Sequence, residues 1–291
     1  MQVNPGLMSV QVLGPFTASL GRRAVTPSAA KQRQILALLA LNPGHVVTVS
    51  TLIEELWGDA PPRSFATTLQ TYVLHLRNRL AEAGADGRQT RDLLNTRHSG
   101  YLLEVASCQT DVAEFGRLAR LGRQATEAGD PRSAADLLGR ALALWRGPAL
   151  VDVPLGRMLE LEAASLEATR LGVLERRIEA DLALRRHADL VGELTLLTAK
   201  NPMNENFCAL LMTALYRSGH AGRALEAFRR LRAVLSAELG LEPCPRLQQL
   251  HQAILSGDPA LDGGEMFAQA SGRFTPQQYA TNGTEYSSFS S

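Results

Sequence analysis

The chain has 291 residues, enough for about two domains at roughly 150 residues each. Hydrophobic residues make up 45%, ordinary for a packed soluble protein, but aromatics only 5%, so the core falls to Leu and Ala and favours helices. The net charge of +1 neither demands nor excludes a nucleic-acid partner. Its distribution says more: residues 63–101 hold six Arg against three acids, a local and modest basic excess. Lys occurs only at 31 and 200, so a phosphate or base reader would rely on Arg, which binds bidentately. Cys108, Cys208 and Cys244 are far apart and fit no zinc or haem spacing, so reduced thiols are expected. No charged-then-apolar leader opens the chain, and no apolar run reaches the ~18–20 residues of a membrane span. A cytoplasmic protein with no membrane contact is expected.

In chain order, residues 9–26 alternate apolar and polar around Gly14 and Gly21 and predict short antiparallel strands. Residues 28–41 predict a helix capped by Ser28 and stopped by Asn42-Pro43-Gly44. Ser50 is expected to cap a short helix closed by Gly58, with Glu54 and Glu55 on its solvated face. A stiff Asp59–Ser64 turn then leads to a helix capped by Ser64 and running to about Glu82. After the polar turn 81–92, the stretches DLLNT and GYLLEV, with RHSG between them, predict a hairpin. A helix pair with a tight turn followed by a β-hairpin is the logic of a winged helix-turn-helix.

From about Asp111 the chain becomes rich in Leu, Ala, Arg and Glu, with helical periodicity to about residue 256. GDPRSAADLLGRAL (129–142) lines up with GHAGRALEAFRRLR (219–232), matching Ala134 to Ala224 and Leu138 to Phe228. A fainter copy, RHADLVGELTLLTA (186–199), begins 33 residues before Gly219. Spacing near ~34 residues, small residues at helix crossings and Pro202 and Pro243 after the second helices suit TPR-like helix pairs, with 156–185 adding one or two helices outside the repeat. Trp145 is expected to pack between helices, and His220 to lie in a helix turn. The fold class is therefore mainly α with small β: a winged helix-turn-helix domain at 1–106, an all-α TPR-like domain at 107–258 and a disordered tail at 259–291.

No phosphate-binding loop, dinucleotide fingerprint, zinc-protease or nucleophile-elbow motif occurs, so neither an enzyme nor a cofactor is expected. The chemistry-bearing feature is TTLQTYVLHLRNRL at 67–80. At 100° per residue, Leu69, Val73, Leu76 and Leu80 form one apolar stripe. Opposite it lie Thr67, Thr71, Leu74, His75 and Asn78, with Gln70 and Arg77 on one flank, and no acid occurs from 63 to 80. Such a face suits the major groove: hydroxyls, amides and an imidazole can bond base edges or phosphates, and Leu74 can meet a thymine methyl. Arg63, Arg77 and Arg79 can reach phosphates.

VLGPF, AAKQRQILALLALNPGHVVT, LIEELWGDAPPRSFATTLQTYVLHLRNRL and NTRHSGYLLEV resemble the OmpR-type DNA-binding domain of the Streptomyces antibiotic regulatory proteins. DVAEFGRL, RALALWRGPALVDV and the long run from ELTLLTAK to LHQAIL resemble the bacterial transcriptional activation domain of that family, so the resemblance spans about residues 9–258. It implies an activator of a secondary-metabolite gene cluster. Such a protein binds direct repeats in double-stranded DNA near the promoter, beside a second protomer, and recruits RNA polymerase holoenzyme. By position it implies base contacts from Gln70, Thr71 and His75, a minor-groove contact from the wing residue Arg97, and backbone contacts from Trp57, Tyr72 and Arg77. Added to the residue-level reading, the base set is Gln70, Thr71, Leu74, His75 and Arg97. The backbone set is Trp57, Arg63, Thr67, Tyr72, Arg77 and Asn78. Many relatives carry Arg where this chain has His75, and a neutral imidazole is a weaker reader than a bidentate guanidinium. The alternative is a TPR-like interaction scaffold whose winged helix binds protein.

Overall fold

The structure, a computed structural model, describes residues 7–84, 93–104 and 108–261. It divides into two compact units, Met1–Leu184 and Arg185–Ser291. The first unit opens with strands β1 (Met8–Gln11), β2 (Thr17–Leu20) and β3 (Arg23–Ala24), antiparallel as the alternation predicts. Met8 and Val10 face inward while Ser9 and Gln11 face out, which fixes the register. A fourth strand, β7 (Cys108–Thr110), joins parallel to β1 with Met8 opposite Cys108, giving the order β3-β2-β1-β7.

Between β1–β3 and β7 lies the winged helix. Helices α1 (Ala30–Leu41), α2 (Val49–Trp57) and α3 (Phe65–Ala83) precede the hairpin of β5 (Leu94–Arg97) and β6 (Gly100–Leu103). The two-residue strand β4 (Val47–Thr48) pairs with the other side of β6. Gly100 permits that pairing, since a Cβ there would lie 2.0 Å from the Val47 carbonyl oxygen. Three expected caps differ. Ala29, not Ser28, precedes α1 and makes no side-chain cap. Thr48, not Ser50, caps α2: its hydroxyl accepts the Thr51 N–H at 3.1 Å, and Ser50 instead bonds that hydroxyl at 2.8 Å. Ser64 occupies the N-cap position of α3, but its side chain bonds no backbone N–H there.

Helices α4 (Asp111–Glu127), α5 (Pro131–Leu142) and α6 (Arg157–Ala183) complete the first unit and share one continuous core with the winged helix. The interval outside the repeat thus holds a single helix, preceded by the loop 143–156. That loop carries RGPALVDV and meets VLGPF at 12–16. Arg146 N–H donates to Leu13 O at 2.8 Å, Leu150 N–H to Val12 O at 2.9 Å, and Phe16 N–H to the Asp152 carboxylate at 2.6 Å. Asp111, at the start of α4, accepts the N–H groups of Val12 and Leu13 near 3.0 Å and pairs with Arg146 at 3.3 Å. From α1, Arg33 reaches Asp152 at 3.0 Å. Trp145 packs edge-on against Phe115 of α4 at 5.6 Å, under the Arg170 guanidinium of α6 at 4.6 Å.

The expectation that Glu54 and Glu55 share a solvated face fails at Glu55. Glu54 is half-exposed and pairs with Arg157 at 3.2 Å. Glu55 is only 2% exposed. Its carboxylate accepts the N–H groups of Gly156 at 2.7 Å, Met158 at 2.9 Å and Leu159 at 3.1 Å, so a side chain of α2 caps the first turn of α6. Gly156 makes room: a Cβ there would lie 2.1 Å from the Glu55 carbonyl oxygen.

The second unit holds α7 (His187–Lys200), α8 (Glu205–Arg217), α9 (Ala221–Leu239) and α10 (Pro245–Ser256). Ala224 and Phe228 of α9 are buried, as are their repeat partners Ala134 and Leu138 in α5. His220 is the turn residue before α9, its ring bonding the Ser218 carbonyl at 2.7 Å. Gly129 and Gly219 take left-handed φ of 72° and 80° just before α5 and α9, and Arg185 takes 62° before α7. The true register of the faint copy is therefore one residue earlier, with Arg185 in place of the glycine. The tail starts later than residue 259. Pro259–Leu261 form a 3-10 turn, Leu261 is buried, and its carbonyl accepts Arg217 Nε at 2.9 Å. Residues 262–291, where the remainder of the expected tail falls, lie outside the described residues. Among the described residues no helix is long and apolar enough to cross a membrane, and no group of His, Cys, Asp or Glu could hold a metal ion.

Candidate nucleic-acid interface

Helix α3 buries Leu69, Val73, Leu76 and Leu80, the stripe read from its period, against the core. That fixes its rotation and exposes Thr67, Gln70, Thr71, Leu74, His75 and Asn78 together on the opposite side. Leu74 is 54% exposed, flanked by polar groups on a face with no acid. Gln70 and Asn78 make no side-chain hydrogen bond among the described residues, so both amides keep donors and acceptors for a partner. The Thr71 hydroxyl donates to the Thr67 carbonyl at 2.9 Å. Its proton is thereby committed, leaving an acceptor and a methyl group facing outward.

The flanks are formed by other elements. Arg97 stands exposed at the end of β5, opposite Gly100, at the tip of the wing. Arg63 is exposed in the turn before α3. Trp57, the last residue of α2, stacks on Tyr72 of α3 with ring centroids 6.5 Å apart, and both rings are half-buried. Arg77 is already engaged. Its Nε and Nη2 donate to the Leu94 carbonyl at 3.0 and 2.9 Å, Nη2 also reaches the Thr96 hydroxyl at 2.8 Å, and the group lies 6.0 Å from the Tyr101 ring. It ties α3 to the wing. Arg79 similarly donates to the Thr26 carbonyl at 3.2 Å. The face thus gathers Thr67, Gln70, Thr71, Leu74, His75 and Asn78 on one helix, with Arg97 and Arg63 outside it and Trp57, Tyr72 and Arg77 bracing its edges.

Sequence reading missed Gln32. It is a half-buried residue of α1 whose amide nitrogen lies 3.1 Å from His75 Nδ1. Nothing in the local pattern marks it, because its partner is 43 residues away.

Comparison with known proteins places this face in a family. Residues 24–103 match the C-terminal domain of transcriptional regulatory proteins, and residues 110–255 match the bacterial transcriptional activator domain. Over 268 residues the chain is 49% identical to the regulatory protein DnrI of Streptomyces peucetius, covering 91% of this chain and 98% of that one. The chain belongs to the Streptomyces antibiotic regulatory protein family. This antibiotic regulatory protein is also 37% identical over 256 residues to the transcriptional regulator RedD of Streptomyces coelicolor, covering 88% of this chain and 73% of RedD. Among solved structures it resembles Mycobacterium tuberculosis EmbR in complex with a low-affinity phosphopeptide. The TM-score is 0.82 at 31% identity, covering 90% of this chain and 69% of EmbR. The antibiotic regulatory protein is accordingly a transcriptional regulator, with a winged helix followed by an activator domain.

Proposed function

We propose that the protein is a sequence-specific DNA-binding activator of a secondary-metabolite gene cluster. It binds direct repeats near the promoter, side by side with a second protomer, and recruits RNA polymerase holoenzyme. The observation that carries this reading is the outer face of α3, acid-free and rich in short hydrogen-bonding groups, beside the wing arginine. In this reading α3 lies in the major groove. Gln70, Thr71 and His75 meet base edges, Leu74 meets a thymine methyl, and Arg97 enters the adjacent minor groove. Thr71, its hydroxyl proton already spent on Thr67, acts as an acceptor and reads an exocyclic amino group. Arg63, Thr67 and Asn78 meet phosphates, with Trp57 and Tyr72 along the same strand. Arg77 keeps Nη1 for a phosphate while its other nitrogens hold the wing.

Footprinting the upstream regions of the neighbouring genes defines the operator, and gel shifts at that operator test the face. Thr71→Ala and His75→Ala should each weaken specific binding about 5- to 150-fold, the range of about 1–3 kcal/mol per base contact. Arg97→Ala should weaken binding and reduce the salt slope by about one. Unchanged affinity in all three folded variants, or binding independent of salt, overturns the reading.

A further inference from the structure

We propose that Gln32 is a positioning residue for DNA reading: it fixes the tautomer of His75 so that the imidazole presents an N–H donor and selects an acceptor on a base edge. The proposal rests on the reading of α3 as the major-groove helix. The Gln32 amide nitrogen stands 3.1 Å from His75 Nδ1. An amide N–H can only donate, so Nδ1 must accept, and the ring proton resides on Nε2. Nε2 is then the ring nitrogen left for a partner, and His75 is exposed between Leu74 and Asn78 on the outer face of α3. Among the described residues it has no second hydrogen-bond partner, and no acid occurs in α1 or between 63 and 80 to pull the proton to Nδ1.

The chemical consequence is a definite base class. A free imidazole can show either a donor or an acceptor and discriminates poorly. With Nδ1 occupied, His75 offers a single donor, which fits guanine O6 or N7, thymine O4 or adenine N7 and clashes with cytosine, whose major-groove edge offers only an amino group. An arginine at this position would offer a two-pronged donor. Here one donor is offered, and its direction is set by a helix that does not itself lie in the groove.

The test uses the full chain and duplexes carrying each single base-pair substitution of the footprinted operator. The proteins are wild type, His75→Ala, Gln32→Met and the double variant. His75→Ala should erase preference at one base pair of the repeat, where wild type discriminates against cytosine at the contacted base. Gln32→Met should weaken preference at that same pair about fivefold or more and leave the other positions unchanged. The double variant should be no worse than His75→Ala alone. Ring 15N spectra of free wild type should show Nε2 protonated and Nδ1 bare, and Gln32→Met should move the Nδ1 signal. A Gln32→Met protein that keeps full preference at the His75 pair overturns the proposal. So does one that loses affinity equally for every sequence, or a wild type that favours cytosine there. Each of these leaves DNA reading by α3 intact. Absence of any sequence preference in wild type instead removes the underlying reading, and is seen before any variant is compared.

Discussion

Replacing Glu55 by Gln changes one atom in a buried place and should loosen the first turn of α6. The carboxylate accepts three backbone N–H groups, those of Gly156, Met158 and Leu159, at 2.7–3.1 Å. Hydrogen bonds to a charged acceptor contribute about 1.5–3 kcal/mol each, roughly twice those to a neutral one. A Gln side chain keeps one oxygen, which can still serve Met158 and Leu159, but turns an NH2 toward the Gly156 N–H. It also removes the negative charge from the positive end of a helix dipole, an effect of about 0.3–2 kcal/mol. These contributions overlap, so the expected loss is about 2–4 kcal/mol, or a melting point roughly 5–15 °C lower for a unit of this size. Chemical denaturation of the full chain measures the loss, and hydrogen exchange at the Met158 and Leu159 amides locates it. Glu54→Gln is the control. Its ion pair with Arg157 is exposed and should contribute only about 0–1 kcal/mol. A Glu55→Gln protein within about 0.5 kcal/mol of wild type, with both amides equally protected, would refute the reasoning.

Gly156→Ala should be at least as damaging, about 2 kcal/mol or more by denaturation. Ala tolerates the local φ of −92°, so the whole effect comes from a Cβ 2.1 Å from the Glu55 oxygen. Burial pushes the Cys108 thiol up to about 11 and, with the Glu205 charge as a lesser cause, the Cys208 thiol up to about 12. Both should resist a thiol reagent at pH 8 in the native protein, and each should react only when its own unit opens. Above the ordinary thiol pKa of 9.0 the unfolded chain sheds protons the native chain retains. Stability should therefore be intact below about 9 and fall as pH rises toward 11 and 12, measured as the denaturation midpoint against pH. A fragment ending at residue 106 lacks β7, Asp111 and the α6 turn that Glu55 caps, so it should melt broadly by circular dichroism, while a fragment ending at Leu184 should melt cooperatively.

The parts legible in the sequence are those written in local periodicity. The stripe of Leu69, Val73, Leu76 and Leu80 follows from the 3.6-residue repeat, and with it the exposed residues of the outer face of α3. The wing hairpin follows from two short apolar runs and a polar tip. What was hidden depends on distant partners or on very short elements. β4 has two residues and β7 three, too few to show alternation. Ser50 is the stronger cap residue on paper, and only the chain's path from β4 into α2 gives the role to Thr48. Glu55 beside Glu54 reads as a solvated pair because its three donors come about a hundred residues later. Gln32 is invisible for the same reason.

Three of the strings that carry the family resemblance, VLGPF, DVAEFGRL and RALALWRGPALVDV, have a common physical role. VLGPF presents the N–H groups of Val12, Leu13 and Phe16 and the carbonyls of Val12 and Leu13. The loop after α5, with Asp111, supplies their partners. Backbone of the β1–β2 turn that is left unpaired under a loop costs free energy, so each motif constrains the other's residue types, above all at Asp111 and Asp152. Arg33 then carries the same latch into α1, the helix from which Gln32 reaches His75. The outer face of α3 is thus oriented by a core that includes α4, α5 and α6 of the activator domain. On the proposed DNA-binding role, a partner bound to those helices acts on α3 by favouring one arrangement of this shared core over another, because the described residues of the winged helix and of α4–α6 pack in one continuous cluster. The Glu55 cap, the Asp111–Arg146 pair and the Arg33–Asp152 pair are the contacts such a rearrangement would have to break.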